Sequence, residues 1–218
     1  MSLTQKLVEL KNQMAEKIPS NVRKVMGEAM EKLVQSKIAE RALKEGDKAP
    51  EFALPDAEGR TVRSAELLAR GPLVISFFRG SWCPYCSLEL QAFQEALSDI
   101  RSMGAALVAI SPQVPGKSLE TKTTCNLDFE MLSDAGNGAA KQFGLVFQVP
   151  ENLRPLYKSF GIDLPEYNGE ASFELPLAAT YVVDSAGMIR KAFVDADYSK
   201  RLDPADVVEV LKTLQVRH

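Results

Sequence analysis

A pair of cysteines three positions apart constrains this chain more than any other feature. Cys83 and Cys86 lie between a continuous apolar run, 73–78, and a stretch, 90–100, whose apolar residues recur at helical spacing. An uninterrupted apolar run is typical of a strand covered on both faces, as in parallel sheets. A second such run, 106–110, follows. The sequence therefore predicts a β-α-β unit with the cysteine pair at the turn from strand to helix.

This position favours thiol redox chemistry. The thiolate is the nucleophilic form of cysteine, and the free N–H groups and dipole of a helix N-terminus stabilise negative charge. A cysteine pKa of about 8.5 falls to roughly 3.5–7.5 in such places. Side chains three residues apart share a helix face with Cβ atoms about 5–6 Å apart, so a small adjustment closes a disulfide. Cys83 and Cys86 are therefore predicted to form a redox-active dithiol.

The alternative interpretation of the pair is a metal site. Structural zinc takes about four ligands, and beside the pair the chain offers only Cys125 and His218. We therefore expect neither a metal nor an organic cofactor. Cys125 is interpreted as a partly buried thiol near the end of a helix, with a resolving role left open.

Two neighbours of the pair are further candidates for substrate binding. Arg79 lies four residues before Cys83 at the predicted strand end, where its charge would stabilise a thiolate or a bound anion. A surface arginine without a role is the equally weighted alternative. Trp82 is placed either to shield the site and contact a partner or to pack in the core.

The first 44 residues differ from the rest in the spacing of their apolar residues. They are predicted to form a helical extension to a domain spanning 45–218. Apolar residues recur at helical spacing in two runs separated by Pro19. Ser20 or Asn21 is predicted to cap the second run. We expect these helices to pack on the domain, with an arm for a homodimer as the alternative.

Charge and hydropathy exclude several classes of protein. The formal net charge of −3 provides no basic footprint for nucleic acid. No apolar stretch approaches the roughly 18 residues that suggest a membrane span, and the first residues lack the pattern of a secretory leader. With three cysteines, an odd number, a structural disulfide framework is not expected. The sequence thus predicts a cytoplasmic protein.

The chain resembles the peroxiredoxin superfamily, and most closely its branch that carries a CxxC motif. The stretches that carry the resemblance are 46–54 (GDKAPEFAL), 77–86 (FFRGSWCPYC), 132–134 (LSD) with 143–144 (FG), and 179–187 (ATYVVDSAG). It implies a thioredoxin fold, an α/β architecture with a central mixed sheet flanked by helices. It also implies a thiol-dependent peroxidase that reduces hydrogen peroxide or organic hydroperoxides and is recycled by a thioredoxin-like dithiol.

The resemblance also implies roles for single residues. Cys86 takes the position of the cysteine that attacks peroxide, and Cys83, in the place of the family's threonine, would resolve the intermediate. Arg79 takes the place of the family's proline, and Ala178 stands where the family has an arginine. Two alternatives stay open: a protein disulfide oxidoreductase, in which Cys83 would attack, and a redox sensor or interaction module on the same fold.

Overall fold

A computed structural model describes residues 1–215 and contains nine strands and ten α-helices there. His218 lies outside the described residues. The strands are β1 (Ala53–Pro55), β2 (Thr61–Arg63), β3 (Leu73–Phe77), β4 (Ala106–Ser111), β5 (Glu130–Ser133), β6 (Val146–Gln148), β7 (Glu174–Pro176), β8 (Ala179–Val183) and β9 (Ile189–Val194). The helices are α1 (Leu3–Lys17), α2 (Ser20–Gln35), α3 (Ile38–Arg41), α4 (Ser64–Leu68), α5 (Pro84–Ser102), α6 (Pro115–Thr124), α7 (Gly138–Gln142), α8 (Arg154–Ser159), α9 (Leu164–Asn168) and α10 (Pro204–Gln215).

A five-stranded mixed sheet in the order β5-β4-β3-β8-β9 forms the centre of the molecule. Strands β3, β4 and β5 are parallel, whereas β8 runs antiparallel to both β3 and β9. Every residue of β3 is buried, as expected of a central strand covered on both faces. The predicted β-α-β unit is confirmed as β3-α5-β4, and it places the cysteine pair at the carboxyl end of β3.

The apolar side chains of the sheet enter two separate layers. On one face, Val74 and Val182 pack with the buried stripe of α5, which includes Leu90 and Phe93, and with Val207 of α10. The other layer includes Ile75, Phe77, Phe143 and Tyr181. Alternate residues of β3 thus point to opposite layers, as the period of two along a strand requires. Within the described residues, no helix has the length and apolarity to cross a bilayer.

The first helix packs on the domain. Leu3 and Leu7 are buried in the same layer as α5, the Leu3 N–H donates to the Asp203 carboxylate at 3.0 Å, and Lys6 pairs with Glu95 at 2.9 Å. The apolar face of α1 is therefore covered within the chain.

The predicted cap of the second helix is wrong. Pro19 is the residue with extended geometry (φ −54°, ψ 145°), so it takes the N-cap position, and no side chain caps the helix. Ser20 is already inside the first turn, where a hydroxyl no longer serves as N-cap.

The segment 150–176 holds more structure than its sequence indicates. Its proline, glycine and polar residues predict a long excursion with one helix, at 153–160. The structure has two helices, α8 and α9, and β7 pairs with β6. A small core forms beneath them from Val149, Leu153, Tyr157, Leu164 and Leu175. These apolar residues are spread over elements of three to six residues, which are too short for a periodic pattern to show.

Candidate active site

The two cysteines lie where the loop after β3 enters α5. Cys83 occupies the N-cap position, and Pro84 is the first helical residue, a position that needs no N–H donor. The N–H of Cys86 donates to the carbonyl of Cys83 at 3.0 Å. Both cysteines are free thiols in the structure, with 2% of Cys83 and none of Cys86 exposed. The predicted location at a strand-to-helix turn is confirmed.

A glutamine from the segment after β4 orders the loop in front of the pair. The Gln113 Oε1 atom accepts from the Ser81 N–H at 2.7 Å and from the Ser81 hydroxyl at 2.9 Å. Gly80 allows the Trp82 indole to fold back over the loop, because a Cβ there would lie 2.3 Å from the indole Nε1. The loop conformation is thus fixed by side chains on both sides of it.

Arg79 is buried and not a surface arginine. Its guanidinium donates to the Cys83 Sγ at 3.9 Å and to the Tyr157 hydroxyl at 2.7 Å. It lies between two aromatic rings, 4.9 Å from the Trp82 ring and 4.4 Å from that of Tyr198. Its Nε has no hydrogen-bond partner among the described residues. The structure therefore places Arg79 against the sulfur of Cys83.

A second buried arginine, Arg201, faces the other sulfur. Its guanidinium donates to the Cys86 Sγ at 3.5 Å and to the Glu89 carboxylate at 2.7 Å. Thr180 of β8 donates to the second oxygen of Glu89 at 3.4 Å. Ala178, where the resemblance would place an arginine, is buried immediately before β8. A guanidinium therefore reaches Cys86 from the loop before α10.

Sequence reasoning missed Arg201 and Glu89 for different reasons. Glu89 lies three residues after Cys86 on α5, so helical spacing alone places it one turn from the sulfur. Arg201 is 115 positions from Cys86, and no local pattern connects them. Tyr157 and Tyr198, which surround Arg79, are likewise brought in from distant segments.

The surroundings separate the two thiols in acidity. The thiol of Cys86 donates to the Cys83 sulfur, and together with Arg79 and Arg201 this lowers the pKa of Cys83 to about 5 against the opposing effect of burial. Burial, followed by the neighbouring Cys83 thiolate, raises the pKa of Cys86. The surroundings therefore favour the thiolate at Cys83 over the thiolate at Cys86.

The carboxyl group of Glu89 is also perturbed. Burial raises its pKa to about 7, although the Arg201 guanidinium and the Thr180 hydroxyl oppose this effect. A carboxyl group close to half-protonation near neutral pH thus lies one helical turn from Cys86.

Trp82 and Cys125 occupy the margins of this site. Trp82 is partly exposed and borders a surface groove of about 500 Å3 between α1 and the start of α5. Cys125 follows the last residue of α6, is half-buried as predicted, and has a pKa raised by burial. Within residues 1–215, no three His, Cys, Asp or Glu side chains are arranged to hold a metal ion.

Comparison with known proteins identifies relatives of the chain. Residues 45–192 match the AhpC/TSA family. A putative chloroplastic peroxiredoxin Q of Oryza sativa is 30% identical over 171 residues, which are 78% of this chain and 66% of the rice protein. The chain thus spans slightly less than two thirds of that relative. A putative peroxiredoxin of Mycobacterium tuberculosis is 31% identical over 122 residues, 56% of this chain and 79% of the relative.

Solved structures show the same fold. The peroxidoxin BcpB of Mycobacterium tuberculosis superposes with a TM-score of 0.62 at 23% identity and covers 81% of this chain and 99% of its own. A bacterioferritin comigratory protein of Xanthomonas campestris, studied for its alkyl peroxide reduction activity, gives a TM-score of 0.58 at 16% identity, with 79% and 98% covered. The expected thioredoxin fold is confirmed.

Proposed function

Because the chain belongs to the AhpC/TSA family, we propose that it is a thiol peroxidase that reduces hydroperoxides through the Cys83–Cys86 dithiol. One observation carries the proposal: two sulfurs in one helical turn each face a buried guanidinium, at 3.9 Å and 3.5 Å. Positive charge at this distance stabilises the thiolate that must attack and the anion that leaves. The names of the rice and mycobacterial relatives, both peroxiredoxins, support the same activity.

Two chemical steps consume the peroxide. A thiolate attacks the terminal oxygen of the O–O bond, becomes a sulfenic acid, and releases an alkoxide or hydroxide that takes up a proton. The second thiol then attacks the sulfenic sulfur, expels water and forms the disulfide. A thioredoxin-like dithiol reduces this disulfide by exchange and is itself oxidised.

We assign the attack to Cys83 and the resolving step to Cys86. Cys83 is the sulfur that holds the negative charge in the reduced pair, and the thiolate is the nucleophilic form. The family alignment implies the opposite order, and the Arg201 guanidinium on Cys86 is the observation that favours it. Arg79, which donates to the Cys83 Sγ, and Trp82, whose ring packs on the Arg79 guanidinium, are proposed to bind the peroxide.

Steady-state peroxide consumption tests the activity. The protein is supplied with hydrogen peroxide or cumene hydroperoxide, and with thioredoxin, thioredoxin reductase and NADPH. We expect turnover by the parent protein, its loss in Cys83→Ser and Cys86→Ser, and its retention in the matched control Cys125→Ser. Absence of consumption with every peroxide, or equal loss in the Cys125 variant, would contradict the proposal.

Trapping of the sulfenic acid identifies the attacking sulfur. In Cys86→Ser, one equivalent of peroxide should convert Cys83 to a sulfenic acid that a dimedone probe labels. In Cys83→Ser, oxidation of Cys86 should slow by at least 100-fold, because burial, the largest cause of the raised pKa of Cys86, persists in the variant. Labelling of Cys86 at the faster rate would reverse the two roles while leaving the peroxidase activity in place.

A further inference from the structure

Arg79 is a buried cation without a carboxylate partner. Only 4% of the residue is exposed, and no ion pair with Asp or Glu reaches it from within residues 1–215. Its contacts are the neutral Tyr157 hydroxyl, two aromatic rings and the Cys83 sulfur. Burying a charge without a counter-ion costs free energy, so the fold keeps Arg79 at the expense of stability unless the sulfur is negative.

The counter-ion of Arg79 depends on the redox state of the pair. In the dithiol, Cys83 is a thiolate and neutralises the guanidinium at 3.9 Å. In the disulfide neither sulfur is charged, so Arg79 stays buried without an anion. The reduced form is therefore stabilised relative to the oxidised form, and a disulfide whose reduced form is stabilised is a strong oxidant.

We propose that Arg79 makes the Cys83–Cys86 disulfide an oxidant of other dithiols, so that oxidising equivalents taken from peroxide pass to a partner with two cysteines of ordinary acidity. The proposal rests on the proposed peroxidase activity only for the source of the disulfide.

The transfer is a balanced dithiol–disulfide exchange. A partner thiolate attacks Cys83 Sγ, the S–S bond breaks, and the sulfur of Cys86 leaves and takes up a proton. The second partner thiolate then attacks the partner's sulfur in the mixed disulfide and releases the Cys83 thiolate. The partner loses two electrons and two protons, the pair gains two electrons and one proton, and the second proton is released to solvent. A leaving thiol of low pKa leaves faster, so Arg79 favours the second step.

The equilibrium with glutathione tests the role of Arg79. The ratio of dithiol to disulfide is measured by thiol alkylation over a range of reduced and oxidised glutathione. In Arg79→Met the equilibrium constant for reduction should fall by 10- to 100-fold. A tenfold change corresponds to about 30 mV for this two-electron couple. Arg70→Met, which removes an exposed arginine, should change it less than twofold. An unchanged or larger constant in Arg79→Met overturns the proposal.

The parent protein provides an independent measurement should the Arg79 variant fail to fold. Reduction by two glutathione molecules yields a Cys83 thiolate, a Cys86 thiol and one free proton. The apparent constant should therefore rise about tenfold per pH unit above the pKa of Cys83 and below the usual thiol value of about 8.5. A constant that does not change with pH in this window overturns the proposal.

Disulfide transfer is tested separately from peroxidase activity. The pair is oxidised with diamide instead of peroxide and mixed with a reduced peptide that contains two cysteines. Transfer at equimolar concentrations should oxidise more than half of the peptide, whereas the Arg79→Met protein should oxidise a smaller part. Transfer without peroxide consumption would support this inference and contradict the proposed function. Peroxide consumption with thioredoxin, combined with equal oxidation of the peptide by the parent and the Arg79→Met protein, would support the proposed function and overturn this inference.

Discussion

The two sulfurs of the pair each contact a buried arginine, but the two arginines are compensated differently. Arg201 pairs with Glu89 at 2.7 Å and also donates to the carbonyls of Tyr198 and Lys200. Arg79 instead contacts the Tyr157 hydroxyl, the faces of two aromatic rings and the Cys83 sulfur. Arg201 therefore keeps its carboxyl and carbonyl partners in both redox states, whereas the charge of Arg79 is balanced only by the Cys83 thiolate.

This difference separates structural from redox roles. Removing one member of a buried ion pair leaves the other charge without a partner and destabilises the fold. Arg201 and Glu89 therefore depend on each other for the stability of the fold. A cation balanced by a thiolate changes its environment each time that sulfur is oxidised. The Arg201 guanidinium thus holds α5 to the loop before α10. The electrostatic environment of the Arg79 guanidinium changes when Cys83 is oxidised.

The largest expected effect comes from replacing Arg201. Arg201→Met leaves the buried Glu89 carboxylate without its ion-pair partner and should lower the free energy of unfolding by about 3–5 kcal/mol at pH 8. Arg79→Met leaves no carboxylate without a partner, and the Cys83 thiolate can take up a proton. This variant should therefore change the free energy of unfolding by about 1 kcal/mol or less. Urea denaturation of the reduced proteins measures both.

A double variant shows whether the unpaired Glu89 carboxylate causes the loss of stability in Arg201→Met. Arg201→Met combined with Glu89→Gln should recover part of the lost stability, because the remaining amide is neutral. Equal losses for the two single arginine variants, or no recovery in the double variant, would remove the distinction between the two arginines.

The next effect is the pH dependence of stability that Glu89 contributes. Its pKa in the folded protein, about 7, lies above the reference value of 4.5. The contribution of protonated Glu89 to the free energy of unfolding is therefore fully present below about pH 4.5 and is lost as the pH rises through 7. The loss is roughly 3 kcal/mol at most.

Glu89→Gln isolates that contribution. Between pH 5 and 7.5 the variant should lose less stability than the parent protein, as measured by urea midpoints. The buried Asp134 also has a raised pKa, but it contributes equally to both proteins and cancels in the comparison. Parallel pH profiles for the two proteins would mean that Glu89 stays ionised beside Arg201 throughout this range.

How much of this site could be read from the sequence follows from the distance between its parts. The pair, the buried strand and the helix are one local pattern, and Glu89 lies on the same helix at a predictable spacing. Arg201 and the tyrosines around Arg79 approach only when β8, β9 and the segment 150–176 have folded. The burial of Arg79 could not be predicted, because arginine is mostly exposed and two of the three aromatic residues around it, Tyr157 and Tyr198, are distant in the sequence.

The smallest effect concerns Tyr157, the neutral partner of Arg79. Tyr157→Phe removes the acceptor at 2.7 Å and should lower the free energy of unfolding by about 1.5–3 kcal/mol, the range for a hydrogen bond to a charged group. The glutathione equilibrium constant should change by less than threefold, because the hydroxyl is present in both redox states and the thiolate is not. Tyr85→Phe is the matched control, since this ring packs on Tyr198 at 5.6 Å without contacting Arg79. If Tyr157→Phe shifted the glutathione equilibrium as far as Arg79→Met, Arg79 would act through its position on Tyr157, and the comparison between the two arginines would no longer rest on their counter-ions.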